Sequence, residues 1–177
     1  LKDIKVQSDT SYTYDGATSA YSMTQADGIV WYFNAQGKPL AVKDKYDSYM
    51  RYYYVTSGDL KGYIDRIVDT VGRVIKFTYT GISGHIRDNV IWYFPQSINV
   101  SVYESESTLS QSLYSWNYTI TENSSYIPYL SSVTSPLGNS TTFGYTMQTG
   151  SIAYNYSGDT FLNHCNMKYM LMTSINH

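Results

Sequence analysis

The sequence predicts an all-β fold of consecutive antiparallel β-hairpins that form one open, spiralling sheet. Three observations lead to this prediction. A 13-residue pattern recurs without gaps, starting at residues 42, 67 and 133. Each copy places aromatic residues two positions apart, as on one face of a strand. Polar or glycine-containing segments separate the apolar stretches, as turns separate strands.

The repeated pattern is a strand, a turn and a returning strand. Each copy starts with a β-branched residue, has Asp or Ser two positions later, and has a turn residue three positions after that. An aromatic residue follows ten positions from the start and a tyrosine twelve positions from it. We expect Gly72 and Gly138 at the third position of type II turns, which requires a positive φ. The copies are VKDKYDSYMRYYY at 42–54, IVDTVGRVIKFTY at 67–79 and VTSPLGNSTTFGY at 133–145.

An approach segment precedes each copy and extends the units to residues near 30–54, 58–79 and 126–145 of a single sheet segment, 1–177. Each approach segment has an apolar residue three positions before the β-branched one, namely Pro39, Ile64 or Leu130. MTSI at 172–175 aligns with LSSV at 130–133, which predicts a truncated repeat from about residue 168. We therefore expect the chain to be a segment of a longer polypeptide.

Residues 80–125 break the register and are interpreted as a diverged or expanded repeat. Alternating apolar residues at 91–93 and 98–102 favour strands, and WNYTITEN at 116–123 favours another. The Ser-rich stretch between them fits either a short helical turn, through Leu109, Leu113 and Trp116, or a surface loop. We expect the loop, because a helix this short is marginal without packing.

Composition excludes several classes of protein. Of the 177 residues, 42% are hydrophobic and 21 are tyrosine, so the chain folds. The net charge of −2 and the absence of charge runs argue against a nucleic-acid partner. Apolar runs such as Val90 to Phe94 are far too short to span a membrane.

The repeats resemble a known family. IDRIVDTVGRVIKFTY at 64–79, LSSVTSPLGNSTTFGY at 130–145 and, more loosely, FNAQGKPLAVKDKYDSYMRYYY at 33–54 are similar to the YD repeat of the RHS and wall-associated repeat proteins of bacteria, relatives of the teneurin YD shell. The Tyr-Asp dipeptide itself is incomplete. It occurs at Tyr14-Asp15 and Tyr46-Asp47, whereas Tyr79 and Tyr145 are each followed by Thr.

The resemblance implies a non-catalytic structural or interaction segment of a large secreted or cell-surface protein. In that family, hairpins spiral into a hollow β-shell with aromatic rings stacked from repeat to repeat. The shell encloses or displays a partner, for example a C-terminal toxin. The expected partners are therefore the remaining repeats of the polypeptide or an enclosed toxin domain.

The alternative function is carbohydrate binding by exposed aromatic rings, since a ring face matches the apolar face of a sugar. The candidate stacking residues are Trp31, Tyr53, Trp92 and Trp116. The competing interpretation is that such rings are cross-strand pairs that stabilise the sheet. Tyr53 is the tyrosine expected to be exposed, because Tyr52 and Tyr54 share the face that matches Phe77 and Tyr79.

Candidate catalytic carboxylates are present but lack supporting features. Glu104 and Glu106 lie on a Ser-rich stretch, and Asp65 and Asp69 flank a repeat. For Asp44 and Asp69 we expect a structural role, in which Asp before a tight turn accepts hydrogen bonds from turn amides. We therefore predict that the chain is not an enzyme and has no catalytic residue.

Metal and cofactor sites are not expected either. His85, His164 and His177 are far apart in the sequence, and adjacent strand residues such as His164 and Cys165 point to opposite faces. Cys165 is interpreted as a small buried hydrophobic residue. Because unpaired sheet edges pair with other chains, we also predict self-association through edge strands.

Overall fold

The computed structural model describes residues 4–87, 90–123, 127–154 and 163–176. The chain forms two compact units, Leu1–Asn117 and Tyr118–His177, and the boundary falls inside a strand. Both units consist of antiparallel strands. The predicted all-β class and open antiparallel sheet are confirmed.

The strands of the first unit follow one another along the chain. They are β1 (Lys5–Ser8), β2 (Thr13–Tyr14), β3 (Ala17–Thr18), β4 (Tyr21–Thr24), β5 (Val30–Phe33), β6 (Pro39–Lys43), β7 (Tyr49–Tyr54), β8 (Ile64–Asp69), β9 (Val74–Arg87), β10 (Val90–Tyr103) and the start of β11 (Tyr114–Glu122). The strand order is β1, β4 and then β5 to β11 in sequence, while β2 and β3 form a separate two-stranded sheet. From β4 onward, each strand lies beside the next one in the chain, which is the arrangement of a series of hairpins.

The second unit continues the same pattern with fewer strands. After the end of β11 come β12 (Pro128–Thr134), β13 (Ser140–Tyr154) and β14 (Asn163–Asn176). β12 pairs with β13, and β13 pairs antiparallel with β14. The predicted hairpins at 42–54, 67–79 and 133–145 therefore correspond to β6–β7, β8–β9 and β12–β13.

Five hairpin turns share one hydrogen-bond pattern. In each, the first residue donates its amide to the carbonyl four positions on, and the fourth residue donates its amide back to the carbonyl of the first. The fourth residue has a positive φ, as in Gly72 (89°) and Gly138 (84°). This geometry is a type I turn followed by a left-handed residue. The turns begin at Gln25, Asn34, Asp44, Asp69 and Ser135.

The prediction of type II turns is therefore wrong. A type II turn needs a positive φ at its third residue, and neither Val71 nor Leu137 has one. The glycines occupy the next position, where they carry the left-handed bulge that follows a type I turn. Asp47 takes the same place in the β6–β7 turn, with φ 64°.

The pairing between one repeat and the next also recurs, in different units of the molecule. In the first unit, Tyr52 pairs with Ile67 and Tyr54 pairs with Ile64, with a bulge just before Tyr54. In the second unit the equivalent pairs are Phe143 with Ile175 and Tyr145 with Met172, with a bulge just before Tyr145. Residues 172–175 thus occupy the register that their alignment with 130–133 predicts.

The sheet of the first unit has one covered face and one aromatic face. A continuous row of cross-strand pairs defines the covered face, and its buried members include Ala41 and Val74, both 0% exposed. The aromatic face carries the alternating residues, most of them half-buried. The row on the covered face is Ser22, Tyr32, Ala41, Arg51, Val68 and Val74, and the aromatic face includes Trp31, Val42, Met50, Tyr52, Ile67, Ile75 and Val102.

The segment between β10 and β11 is a surface loop with one short 3-10 turn, Glu106–Thr108. Leu109 and Leu113 are exposed, and Trp116 lies in β11 rather than in a helix. This confirms the predicted loop and the strand that follows it. Within the described residues, no helix is long and apolar enough to cross a bilayer.

Candidate functional site

The four predicted stacking residues lie on four different strands, β5, β7, β10 and β11. Strand alternation puts Tyr53 on the covered face and Trp31 on the aromatic face. In the described part of the chain, no ring contact joins any two of the four. The structure does not bring them together into one platform.

The Trp31 ring is occupied by neighbouring aromatic rings. It stacks on Phe33, with ring centroids 6.4 Å apart and an interplanar angle of 17°, and on Tyr52, at 6.3 Å and 29°. Its Nε1 is buried and has no hydrogen-bond partner among the described residues. Trp31 therefore acts within the sheet as one of the cross-strand aromatic groups that stabilise it.

The Tyr53 ring is half-buried and covered by a guanidinium group. The Arg66 guanidinium carbon lies 4.0 Å from the ring centroid, close enough for a cation–π contact. Partial burial raises the pKa of Tyr53 to about 12, and the neighbouring Tyr14 hydroxyl adds to the rise. Contrary to the expectation that Tyr53 is exposed, it is half-buried and Arg66 covers one face of its ring. As the repeated pattern predicts, Tyr52 and Tyr54 lie on the same face of the sheet as Phe77 and Tyr79.

Trp92 and Trp116 differ in exposure. Trp92, on β10, is 63% exposed. Trp116 is half-buried on β11 and lies 6.2 Å from Tyr114, centroid to centroid. Of the four predicted residues, Trp92 offers the largest open ring surface.

A second arrangement, which sequence reasoning missed, lies on the covered face. Residues 9–20, here called the tyrosine loop, contain β2 and β3 and extend over this face. The Tyr12 ring stacks on Tyr32 at 4.7 Å and on Tyr49 at 5.8 Å. The Arg51 guanidinium lies 4.0 Å from the Tyr14 ring centroid and 5.0 Å from that of Tyr49. The Tyr12 ring thus lies between two rings of the sheet, and the Arg51 guanidinium contacts the rings of both Tyr49 and Tyr14.

An ion-pair network lies next to these rings. Arg66 bonds Asp65 (3.0 Å) and Glu106 (2.7 Å), and Lys76 also bonds Asp65. Partial burial raises the pKa of the Asp65 carboxyl, but hydrogen bonds from Lys76 and Arg66 lower it by more, so it lies below the usual range. Two of the carboxylates considered for catalysis, Asp65 and Glu106, are therefore neutralised partners of one arginine. A general acid needs a raised pKa instead.

The repeat tyrosines make equivalent contacts to residues sixteen positions earlier. The Lys38 ammonium lies 5.1 Å from the Tyr54 ring centroid, Tyr63 packs edge-on against Tyr79 at 5.4 Å, and Tyr129 lies 5.1 Å from Tyr145. Two tyrosine hydroxyls also donate to carbonyls fifteen positions earlier, Tyr54 to Pro39 (2.7 Å) and Tyr79 to Ile64 (2.6 Å). The recurring sequence pattern therefore corresponds to a recurring set of contacts.

The aromatic face also contains an open groove of about 630 Å³ near the β6–β7 and β8–β9 turns. Apolar side chains line most of it, and polar groups from the two turns form one side. Its apolar lining includes Val42, Met50, Ile67, Ile75 and Val102.

The hydrogen bonds predicted for the turn carboxylates are confirmed. Asp44 Oδ1 accepts the amides of Tyr46 (2.8 Å) and Ser48 (2.9 Å). Asp69 Oδ1 accepts the equivalent amides, those of Val71 (3.1 Å) and Arg73 (2.9 Å). Asn34 does the same in the β5–β6 turn.

Metal-ligating residues do not cluster in the part of the chain that the structure describes. His85, His164 and Cys165 lie on strands, but the surroundings of their side chains fall outside the description, as does His177. No protein-family model matches the sequence, and no curated protein matches it either.

Proposed function

We propose that the chain is a non-catalytic structural and interaction segment of a secreted or cell-surface protein of the RHS/YD-repeat type. In this role its hairpins form part of the wall of a β-shell that encloses or displays a partner. The observation that supports this most directly is the recurrence of one pairing scheme in both units. Tyr52 with Ile67 and Phe143 with Ile175 share a register, and each is followed by a bulge.

Recurring pairing is what a stacked repeat protein requires. Each repeat contacts its neighbours, so the stability depends on contacts that every repeat makes in the same way. The contacts of Tyr54, Tyr79 and Tyr145 with residues sixteen positions earlier are of this kind. A catalytic centre, by contrast, breaks such regularity with unusual groups at a single place.

The aromatic face supports the enclosing part of the proposal. Its rings and aliphatic side chains are half-buried within the first unit, so a further layer of polypeptide would remove more apolar surface from water. A shell wall needs one such face toward its contents. We assign that role to the aromatic face.

Hydroxyl-radical footprinting of the full-length gene product, compared with this 177-residue chain, tests the proposal. We expect Trp31, Tyr52 and Phe77 to be oxidised several-fold more slowly in the full-length product. Tyr46, 75% exposed at a turn, is the internal control and keeps its rate. Equal oxidation of the aromatic face in both proteins would contradict an enclosing wall.

Carbohydrate binding is the second candidate, and the exposure of Trp92 favours it. A glycan-array signal that Trp92→Ala abolishes and Trp31→Ala preserves would support stacking on the open ring. Retention of the signal in Trp92→Ala, or no binding to any polysaccharide, would reject this candidate.

A further inference from the structure

The tyrosine loop lies over the sheet, and among the described residues its backbone bonds to the main sheet only through Ala20, where the loop ends. Within the loop, Asp9 donates its amide to Ala20 (3.0 Å) and Ser19 donates to Tyr12 (2.9 Å). Ala20 donates to the Phe33 carbonyl of β5 (2.7 Å). Asp15 (φ 50°) and Gly16 (φ 75°) form the two-residue type I′ turn at its tip. The rings of Tyr12 and Tyr14 pack against the middle of the covered face.

The side chains of the covered face under the loop have the same spacing as Tyr12 and Tyr14, which are two residues apart. Along β7, the residues on this face are Tyr49, Arg51 and Tyr53, which also recur every second residue. Both rows therefore have the same repeat distance along an extended backbone, about 6.6 to 6.8 Å. Tyr12 contacts Tyr49, and Tyr14 contacts Arg51, so the two rows interlock.

Two buried polar groups between the loop and the sheet are poorly hydrogen-bonded. The Tyr12 hydroxyl and Arg51 Nε are both buried, and although the two side chains interact, neither atom forms a well-aligned hydrogen bond with a described residue. A buried donor with a poorly aligned acceptor gains less from its hydrogen bond than one with good geometry. A different segment with an acceptor better aligned with Arg51 Nε would bind more favourably than the loop does.

We propose that Tyr32, Tyr49, Arg51 and Tyr53 form a docking site for an extended polypeptide segment with two aromatic residues at positions i and i+2, and that the tyrosine loop occupies this site in cis. The partner displaces the loop and inserts its own rings between the tyrosines and the guanidinium group. The proposal rests on the covered face alone and goes beyond the shell role, which concerns the other face of the sheet.

Because the tyrosine loop is part of the same chain, it competes strongly with a partner segment for the docking site. A segment held by a short link has an effective concentration of about millimolar or higher, so a free peptide of equal affinity cannot compete below that range. Binding in trans is weakened in proportion to the small fraction of molecules with the loop released. Release of the loop therefore exposes the site.

The test uses a fluorescein-labelled peptide with the sequence of residues 9–18 and the 177-residue chain. We expect fluorescence anisotropy to show binding to the Tyr12→Ala/Tyr14→Ala variant that is at least about tenfold tighter than binding to the wild-type chain. Tyr46→Ala, which removes an exposed tyrosine outside the loop, should behave as wild type. Adding Arg51→Ala to the double variant should abolish the gain.

Circular dichroism and a cooperative thermal transition establish that each variant is folded. Gly16→Val provides a second route to an open loop. A β-branched residue disfavours φ 75°, and no atom lies within 4 Å of the added Cβ. Peptide binding by folded loop variants no tighter than that of the wild type would overturn the proposal. Equal binding of a peptide with both tyrosines changed to alanine would overturn it as well.

Discussion

At the scale of single residues, the hairpins depend on side chains that hold their turns. Asn34, Asp44 and Asp69 each accept two backbone amides through one oxygen. These bonds satisfy donors that the strand ladder leaves free at the end of a hairpin. The Asp of the repeated pattern therefore stabilises the turn conformation.

Acid should destabilise the protein partly through Asp69. Partial burial raises the pKa of this carboxyl, but Arg73 (2.6 Å) and the turn amides lower it by more, to below its usual value. A depressed pKa stabilises the fold above the unfolded-state value of about 3.9, and this contribution is lost as the pH falls below it. We expect Asp69→Asn to lose less unfolding free energy than wild type between pH 6 and pH 3 in urea titrations.

Asp44→Asn is the matched control for this prediction. Asp44 makes the same two turn bonds but no ion pair within the described residues. If Asp69→Asn shows the full acid sensitivity of the wild type, the pairing with Arg73 does not contribute to stability.

The left-handed turn position gives a second residue-level prediction. A Cβ at Gly72 meets no atom within 4 Å, so the cost of Gly72→Ala is the cost of φ 89° alone. We expect thermal or urea unfolding to show a loss of about 1 to 2 kcal/mol. Gly72→Asp should lose less, because Asp tolerates this conformation, as Asp47 does at the equivalent position. Equal losses in both variants would contradict this explanation.

The repeated pattern in the sequence was enough to predict the hairpins, the strand alternation and the role of Asp69, because all three depend on residues close in the chain. The turn type was mispredicted because a glycine near a turn does not reveal which position it fills. The tyrosine loop and the Arg66–Tyr53 contact were missed. The loop contacts strands that lie far from it in the sequence, and spacing along the chain contains no information about such contacts. Arg66 lies directly opposite Tyr53 on the adjacent strand, but the repeated pattern specifies neither residue.

At the scale of elements, the repeat tyrosines connect a returning strand to the approach segment of its own unit. The hydroxyl bonds of Tyr54 and Tyr79 satisfy the carbonyls of Pro39 and Ile64. Pro39 pairs with Phe33 beside a bulge, and Ile64 pairs with Tyr54 beside another. A bulge locally disrupts the ladder, so a side-chain donor at this point compensates for it.

Removing one hydroxyl should therefore weaken the sheet measurably. We expect Tyr79→Phe to lower the unfolding free energy by about 1 kcal/mol at pH 7. Tyr52→Phe is the control, since its hydroxyl makes no hydrogen bond with the described residues. Urea denaturation of the three proteins provides the comparison, and equal stability of Tyr79→Phe and wild type would refute the proposed compensation.

The same tyrosine should respond to alkali. Partial burial raises the pKa of Tyr79 to about 12, above the unfolded value of about 10. The contribution is complete below pH 10 and is lost as the pH rises toward 12. Tyr79→Phe should therefore lose less stability than wild type over this interval.

At the scale of the whole molecule, each unit exposes strand edges. β1 is the first strand of the sheet and β14 the last, so each has one neighbouring strand among the described residues. β1 is four residues long and begins with a lysine, two features that discourage pairing with another chain. β14 spans fourteen residues and exposes Leu171, Met172 and Ile175. It is the edge more suited to pairing.

We expect the isolated chain to associate through β14 at high concentration. Sedimentation velocity should show a concentration-dependent dimer in the wild type. Leu171→Lys/Ile175→Lys should shift association to at least tenfold higher concentration, because charged edge residues oppose strand pairing. Leu137→Lys is the matched control, since Leu137 is 88% exposed but lies in a turn. If Leu137→Lys suppresses the dimer equally, general surface hydrophobicity drives association; if the wild type stays monomeric, the edge is not used.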